Sequence, residues 1–307
     1  MLRGWRWHVA ERVLVVGAGV VGLSCAVRLL ESGHQVDVLA RDLPRETTSA
    51  VAAALWYPYL VEPRERVSAW SAASFETFAA LAKDEATGVR MLRGRELVAP
   101  GAPAPWWGDA VPDLEVGEGE WRFTSPVADM PVYVDWLAAR VGKLGGTITR
   151  MNLAALPELP GGLVVDCSGI GARLLARDLS VTPVRGQVVL LEQWGLDTWH
   201  LDDTDPDHPV YVIPRRHEVV VGGTAVEGEW SRTPAPAVAQ EILRRAAVLV
   251  PEIAGTRVVR HKVGLRPARP QVRVERQGDV VHCYGHGGAG MTVSWGCADE
   301  VSALCAR

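Results

Sequence analysis

The stretch "VLVVGAGVVGLSCAVRLL" at residues 13–30 decides the fold. Residues 13–16 are an unbroken apolar run, the pattern of a parallel strand buried on both faces. The run leads directly into Gly17, Gly19 and Gly22, a G-x-G-x-x-G spacing. In that spacing the first glycine allows a tight turn and the second lets the backbone approach a pyrophosphate. The third lets the next helix lie close to the strand, with its N-terminus toward the phosphates. Ala18, Val20 and Val21 complete the loop. Leu23, Ala26, Val27 and Leu30 keep helical spacing, Gly33 ends the helix, and "QVDVLA" at 35–40 returns as a second strand. Strand, turn, helix and strand together predict a doubly wound dinucleotide-binding domain. An acidic residue at the end of the second strand ordinarily takes the adenosine ribose, and here the chain reads Ala40, Arg41, Asp42. Arg41 suits a 2′-phosphate and Asp42 a ribose, so both readings stay open.

Further along, "RVSAWSAASFETFAALAKD" at 66–84 and "VYVDWLAARVGKLGG" at 132–146 have helical spacing, the second stopped by Gly145 and Gly146. The Pro/Trp/Gly-rich residues 100–119 read as a surface loop. "GLVVDCSGIGARLL" at 162–175 is another buried strand entering small residues and a helix, as expected where a further strand reaches the same ligand. "HPVYVIPRRHEVVVGGT" at 208–224 alternates as an antiparallel hairpin does, with Pro214, Arg215 and Arg216 beside its turn and both arginines facing solvent. Parallel-type and antiparallel-type strands therefore interleave. The expected fold is α/β, a Rossmann-like doubly wound domain plus a mixed-sheet α+β domain, each discontinuous in sequence.

The 307 residues carry a net charge of −4 and are 48% apolar, with charges scattered along the chain. No basic stripe for nucleic acid or an acidic membrane surface is visible. "MLRGWRWHVAERV" at the N-terminus lacks the apolar stretch and cleavage site of a secretory signal, so a cytoplasmic protein is expected. Five cysteines, Cys25, Cys167, Cys283, Cys297 and Cys305, have no CxxC spacing and read as reduced structural thiols, with a pairing of distant cysteines left open and no metal site expected.

A second glycine-rich stretch, "HCYGHGGAGMTVSWGC" at 282–297, places Gly285, Gly287, Gly288 and Gly290 before a helix expected from near Met291. Four glycines exceed what a helix cap needs. "VVHCYGHGGAGMTVSWGCA" at 280–298 resembles the C-terminal signature of the D-amino acid oxidase family, departing at Cys283, where that family usually has Asn, His or Ala. Four more stretches match in order: "TTSAVAAALWYPYL" (47–60), "RGQ" (185–187), "VYVIP" (210–214) and "GLRPARPQVR" (264–273). The resemblance covers nearly the whole chain.

The resemblance implies FAD as cofactor and oxidation of a D-amino acid by O2. It implies that the loop at 285–290 passes against the flavin ring and that the following helix aims its N-terminus at the pyrimidine end, suited to the anionic reduced flavin. It places Arg266 on the substrate α-carboxylate, which a planar guanidinium holds with two parallel hydrogen bonds. The resemblance likewise has Tyr211 donating to the same carboxylate and the Gly288 carbonyl accepting from the substrate amine. By resemblance the cofactor is held by Gly17, Ala18, Gly19, Val20, Val21, Gly22, Arg41, Asp42, Thr47, Thr48, Ser49, Ala53, Ala54, Leu55, Ser168 and Gly169. Gly186, Gln187, Arg266, Gly285, Gly287, Gly288, Gly290, Met291 and Thr292 complete that set. Leu55, Tyr57, Asp207 and Arg266 border the substrate. His286 is expected to be positional, since hydride transfer from a neutral amine needs no protein base.

Asp207 stands where relatives have a lid tyrosine, in a segment shorter than in vertebrate relatives, so the resemblance carries no lid role here. Residues 1–57, 132–184 and 263–307 are expected to form the FAD-binding domain, and 58–131 and 185–262 the substrate domain. The expected partners are a small-molecule D-amino acid and O2, with neither nucleic acid nor membrane; monomer and homodimer both stay open. Rival readings are a D-aspartate oxidase, a glycine or sarcosine oxidase, and a non-catalytic nucleotide-binding protein. Relatives acting on D-aspartate carry an arginine just after the hairpin's Gly-Gly-Thr, where this chain has Ala225 after Gly222, Gly223 and Thr224. Asp202, Asp203 and Asp205 join Asp207 near the expected entrance, so neutral D-amino acids are the expected substrates, with basic ones tolerated.

Overall fold

A computed structural model describes residues 11–59, 61–205 and 209–306. The N-terminal segment read for a signal, residues 1–10, and Asp207 lie outside them. In chain order the elements are β1 (Arg12–Val16), α1 (Val20–Glu31), β2 (Gln35–Ala40), α2 (Arg64–Leu81), β3 (Val89–Leu97), β4 (Glu115–Val116) and β5 (Glu120–Ala128). Then come α3 (Met130–Lys143), β6 (Thr147–Arg150), β7 (Leu163–Asp166), α4 (Ala172–Leu175), β8 (Thr182–Glu192), β9 (Trp199–Asp202) and β10 (Val210–Pro214). The rest are β11 (Glu218–Gly222), β12 (Val226–Glu227), α5 (Pro236–Leu249), β13 (Val258–Gln277), β14 (Val280–His286) and α6 (Ser294–Cys305). No helix of the described residues is long and apolar enough to cross a membrane.

β6, β2, β1, β7 and β14 pair in parallel in that order, so the strand after β1 lies on one side of it and β7 on the other. That reversal opens a crevice at the carboxyl end of β1, the usual ligand position in such sheets. Both faces of β1 are covered, as its unbroken apolar run requires. Val13 and Val15 pack with Leu23, Val27, Leu137 and Trp295 from α1, α3 and α6. Leu14 and Val16 pack with Val164, Leu153, Leu156 and Leu159.

The sheet continues through β13, β8, β11 and β10 by antiparallel pairing, then to β9, β3, β5 and β4. One face of this half packs Val189, Leu191, Val212 and Val221 against Ile242 and Ala246 of α5. The opposite face carries Val188, Leu190, Ile213 and Val220 toward the large core. β8 and β13 are long enough to belong to both halves, which makes the sheet continuous where the sequence reads as two units.

Three expectations change. Residues 100–119 are not only surface, because Trp107 and Val111 are buried. Trp107 meets Trp56, Trp121 and Phe123 at ring-centroid distances of 5.7, 6.1 and 5.1 Å, a cluster whose apolar area outweighs the loop's polar composition. Arg215 does not face solvent. Its turn folds the guanidinium back beneath the hairpin, where Nη1 pairs with Glu218 Oε1 at 2.9 Å and Nη2 donates to the Ala52 carbonyl. Arg216 is exposed and pairs with Glu85. The last helix begins at Ser294, three residues after Met291, because residues 291–293 form a turn.

Candidate active site

A cavity of about 780 Å³ opens at the β1 crevice and runs to the face of β8, β10 and β13. At its first end Gly17 takes φ 115°, and a Cβ there would fall 2.4 Å from the Cys167 carbonyl oxygen. A Cβ at Gly22 would fall 2.0 Å from the Gly17 carbonyl oxygen. Backbone from β1, α1 and β7 thus converges where side chains have no room, the cradle a pyrophosphate needs. Ser49 Oγ accepts from the Val20 N–H at 3.0 Å, tying this loop to residues 47–49. Arg41 and Asp42 both line the cavity and pair with each other, Nη2 to Oδ2, at 2.6 Å. Asp166, buried at the end of β7, accepts from Ser168 N and Oγ and so aims Ser168 at the same cradle.

At the other end Arg266 projects from β13, where Leu265 pairs with Arg185 and Gly264 with Gly186. Its guanidinium lies flat over Gly186, since a Cβ there would come within 2.5 Å of Nη1, and Nη1 donates to the Thr224 carbonyl at 2.8 Å. Gly186 and Thr224 therefore hold the fork in one orientation. Tyr211 on β10 pairs with Gly222, whose absent Cβ would lie 2.2 Å from the ring. Gly288 approaches both Arg266 and Tyr59. Burial raises the pKa of the Tyr59 hydroxyl, and the Arg266 cation opposes the rise.

Tyr57 is fixed twice. Its N–H donates to Thr292 Oγ1 at 3.1 Å, whose hydroxyl donates back to the Tyr57 carbonyl at 3.0 Å. Its own hydroxyl donates to Glu96 Oε1 at 2.6 Å, and burial raises its pKa. Thr48 Oγ1 donates to the Leu265 carbonyl, joining residues 47–60 to β13 as well.

Every cofactor and substrate residue expected from the sequence lines this cavity except Gln187, Gly285 and the undescribed Asp207. Gln187 points to the other side of β8, where its amide exchanges hydrogen bonds with Ala235. Gly285 packs against Arg269 instead. His286 is buried with Nε2 3.9 Å from Cys283 Sγ. All five cysteines are free and buried, with the Sγ atoms of Cys25 and Cys167 3.9 Å apart. Of the acidic segment, Asp202 and Asp203 line the cavity.

Several lining residues escape a reading of the sequence: Tyr59, Glu96, Leu201 and Trp230 among them. Tyr59 lies two residues after Tyr57, and the alternation of an extended segment could have pointed to it. Glu96 had no signal, because a lone carboxylate on a strand is ordinarily solvent-facing.

Residues 12–304 match the family described as FAD dependent oxidoreductase. A D-amino-acid oxidase of Rubrobacter xylanophilus is 48% identical, over 98% of this chain and 98% of that protein. A D-amino-acid oxidase of Streptomyces coelicolor is 43% identical over 95% and 96%. Among solved structures, glycine oxidase from Geobacillus kaustophilus superposes with a TM-score of 0.79 at 20% identity, over 97% of this chain and 95% of that one, a likeness of fold.

Proposed function

The chain belongs to the FAD dependent oxidoreductase family, and we propose that it oxidises neutral D-amino acids to 2-oxo acids, ammonia and hydrogen peroxide. One observation carries the reading. Arg266, its fork held flat and presented to the cavity, shares that cavity with Tyr211 and the dinucleotide cradle of Gly17, Gly19 and Gly22. A nucleotide carrier would have no use for a carboxylate anchor at the far end. Near-full-length relatives named D-amino-acid oxidase support the same class.

The residues present fit FAD. The cradle suits its pyrophosphate, Arg41 or Asp42 its adenosine end, and the run from Thr47 to Leu55 with Gly287 to Thr292 its flavin end. Of the described residues, we assign those within 1–57, 132–184 and 263–307 to the FAD-binding domain and those within 58–131 and 185–262 to the substrate domain. When bound, FAD would supply the acceptor for the substrate's α-hydrogen as hydride and the route for the electron pair to O2.

Arg266 grips the α-carboxylate with two parallel hydrogen bonds, and the Tyr211 hydroxyl donates to the same group. The Gly288 carbonyl accepts from the amine, so three contacts orient the α-hydrogen. The amine enters neutral, its lone pair forms the C=N bond as hydride leaves, and no protein base is required. Water then hydrolyses the imine to the 2-oxo acid and ammonia. We place the protein in the cytoplasm, acting on a free small molecule.

The side-chain preference follows from charge. Ala225 lines the cavity where a side-chain cation would be needed for D-aspartate, while Asp202 and Asp203 bring negative groups. Arg215 is engaged by Glu218 and Ala52. A second substrate carboxylate would be desolvated without a partner, at a cost of several kcal/mol. We expect kcat/KM for D-aspartate to be at least ~100-fold below that for D-valine, about 3 kcal/mol. The comparison is made at moderate salt, where long-range repulsion is screened. If D-aspartate proves the better substrate, the neutral preference is wrong and the D-aspartate oxidase reading replaces it.

A further inference from the structure

Glu96 is a buried carboxylate in the cavity wall that the mechanism above does not use. Oε1 accepts from the Tyr57 hydroxyl at 2.6 Å, while Oε2 is buried with no hydrogen-bond partner among the described residues. The neighbouring cation in sequence, Arg95, lies on the other face of β3 and donates to His200. An unpartnered carboxylate oxygen in an apolar wall costs free energy unless a ligand satisfies it.

The strand register locates Glu96 relative to the carboxylate anchor. Glu96 pairs with Leu201, Leu201 with Tyr211, and Tyr211 with Gly222. Residues in one such row point to the same face of a sheet. Glu96, Leu201 and Tyr211 all line the cavity, as that row requires. Glu96 thus stands two strand spacings from Tyr211, roughly 10 Å. That is the reach of an extended lysine-like or arginine-like molecule with a hydrogen bond at each end.

We propose that Glu96 is a specificity-determining residue, taking the terminal cation of a basic D-amino acid whose α-carboxylate is held at Arg266 and Tyr211. The proposal rests on the oxidase reading above and extends it from toleration of basic side chains to a preference for them over neutral ones of the same length. Asp203, half-buried on the same wall, adds a second negative group. Burial pushes the Glu96 carboxyl up to about 8, so in the free protein it holds a proton that an arriving cation displaces. A neutral chain such as that of D-norleucine leaves Oε2 unsatisfied.

The test compares D-lysine with D-norleucine in the FAD-loaded protein. The expected kcat/KM ratio is at least tenfold in favour of D-lysine, falling at least tenfold in Glu96→Gln, with Glu96→Asp restoring part of it. A packing role alone would alter both substrates together and leave the ratio where it was. A wild-type ratio at or below one, or a ratio unchanged in Glu96→Gln, overturns the proposal. D-alanine turnover by the wild type reads the oxidase activity by itself. If D-alanine is not oxidised, the same ratio is read as dissociation constants of D-lysine and D-norleucine from perturbation of the bound-flavin absorbance. If Glu96→Gln loses FAD or melts early, the Glu96→Asp and wild-type ratios decide.

Discussion

Arg266→Ala should lower kcat/KM for D-valine by at least ~100-fold, about 3 kcal/mol, while bound FAD hardly changes. The magnitude follows from the proposed role, a charged two-point anchor that also orients the reacting hydrogen. Cofactor content should survive because the cradle is backbone from β1, α1 and β7, which the substitution leaves intact. Arg266→Lys should recover only part of the activity. An ammonium keeps the charge but lacks the planar fork that Gly186 and Thr224 hold in place. Near-normal turnover by Arg266→Ala, measured by oxygen consumption across a range of D-valine, would remove the anchor from the mechanism.

Arg215→Ala should be the most destabilising change outside the cavity, by ~3–5 kcal/mol. The guanidinium is 1% exposed, and deleting it leaves Glu218 Oε1 and the Ala52 carbonyl without their partner, with only the exposed Arg260 still on Glu218 Oε2 at 3.3 Å. A drop in Tm on the order of 10 °C is expected for a chain of this size. Arg216→Ala, one residue along but exposed, should leave Tm where it is. Because a buried ion pair stabilises little relative to apolar packing, Arg215→Met combined with Glu218→Leu should recover much of the loss. Equal melting of the Arg215→Ala and Arg216→Ala proteins would contradict the buried placement.

The contrast between those two arginines shows where a sequence stops being readable. The cradle was legible because its sterics are local: Gly17 and Gly22 are required by backbone atoms a few residues away or on the adjacent strand. β2 falls at residues 35–40 as its alternation indicates, and α1 ends where Gly33 turns the chain. The convergence of Arg266, Tyr211 and Gly288 on one cavity was legible through motif resemblance, since nothing in their spacing reveals it. Arg215 was misread because the hairpin rule specifies the turn but not what packs beneath it, and Ala52 comes from 163 residues earlier. Trp107 was misread because loop composition outvoted one large ring, whose partners Trp56 and Trp121 lie in other segments. Glu96 was invisible for a third reason. Its role depends on the row of register through Leu201 to Tyr211, which exists only once three strands are paired.

The central claim is that this flavoprotein takes electrons from D-amino acids. It is tested most directly by mixing the purified yellow protein with D-valine in the absence of O2 and following the flavin's visible absorbance. The account predicts that D-valine bleaches the band, that admitting O2 restores it with release of hydrogen peroxide, and that L-valine does neither. Bleaching by L-valine but not D-valine would contradict it, as would a protein that holds no FAD after reconstitution.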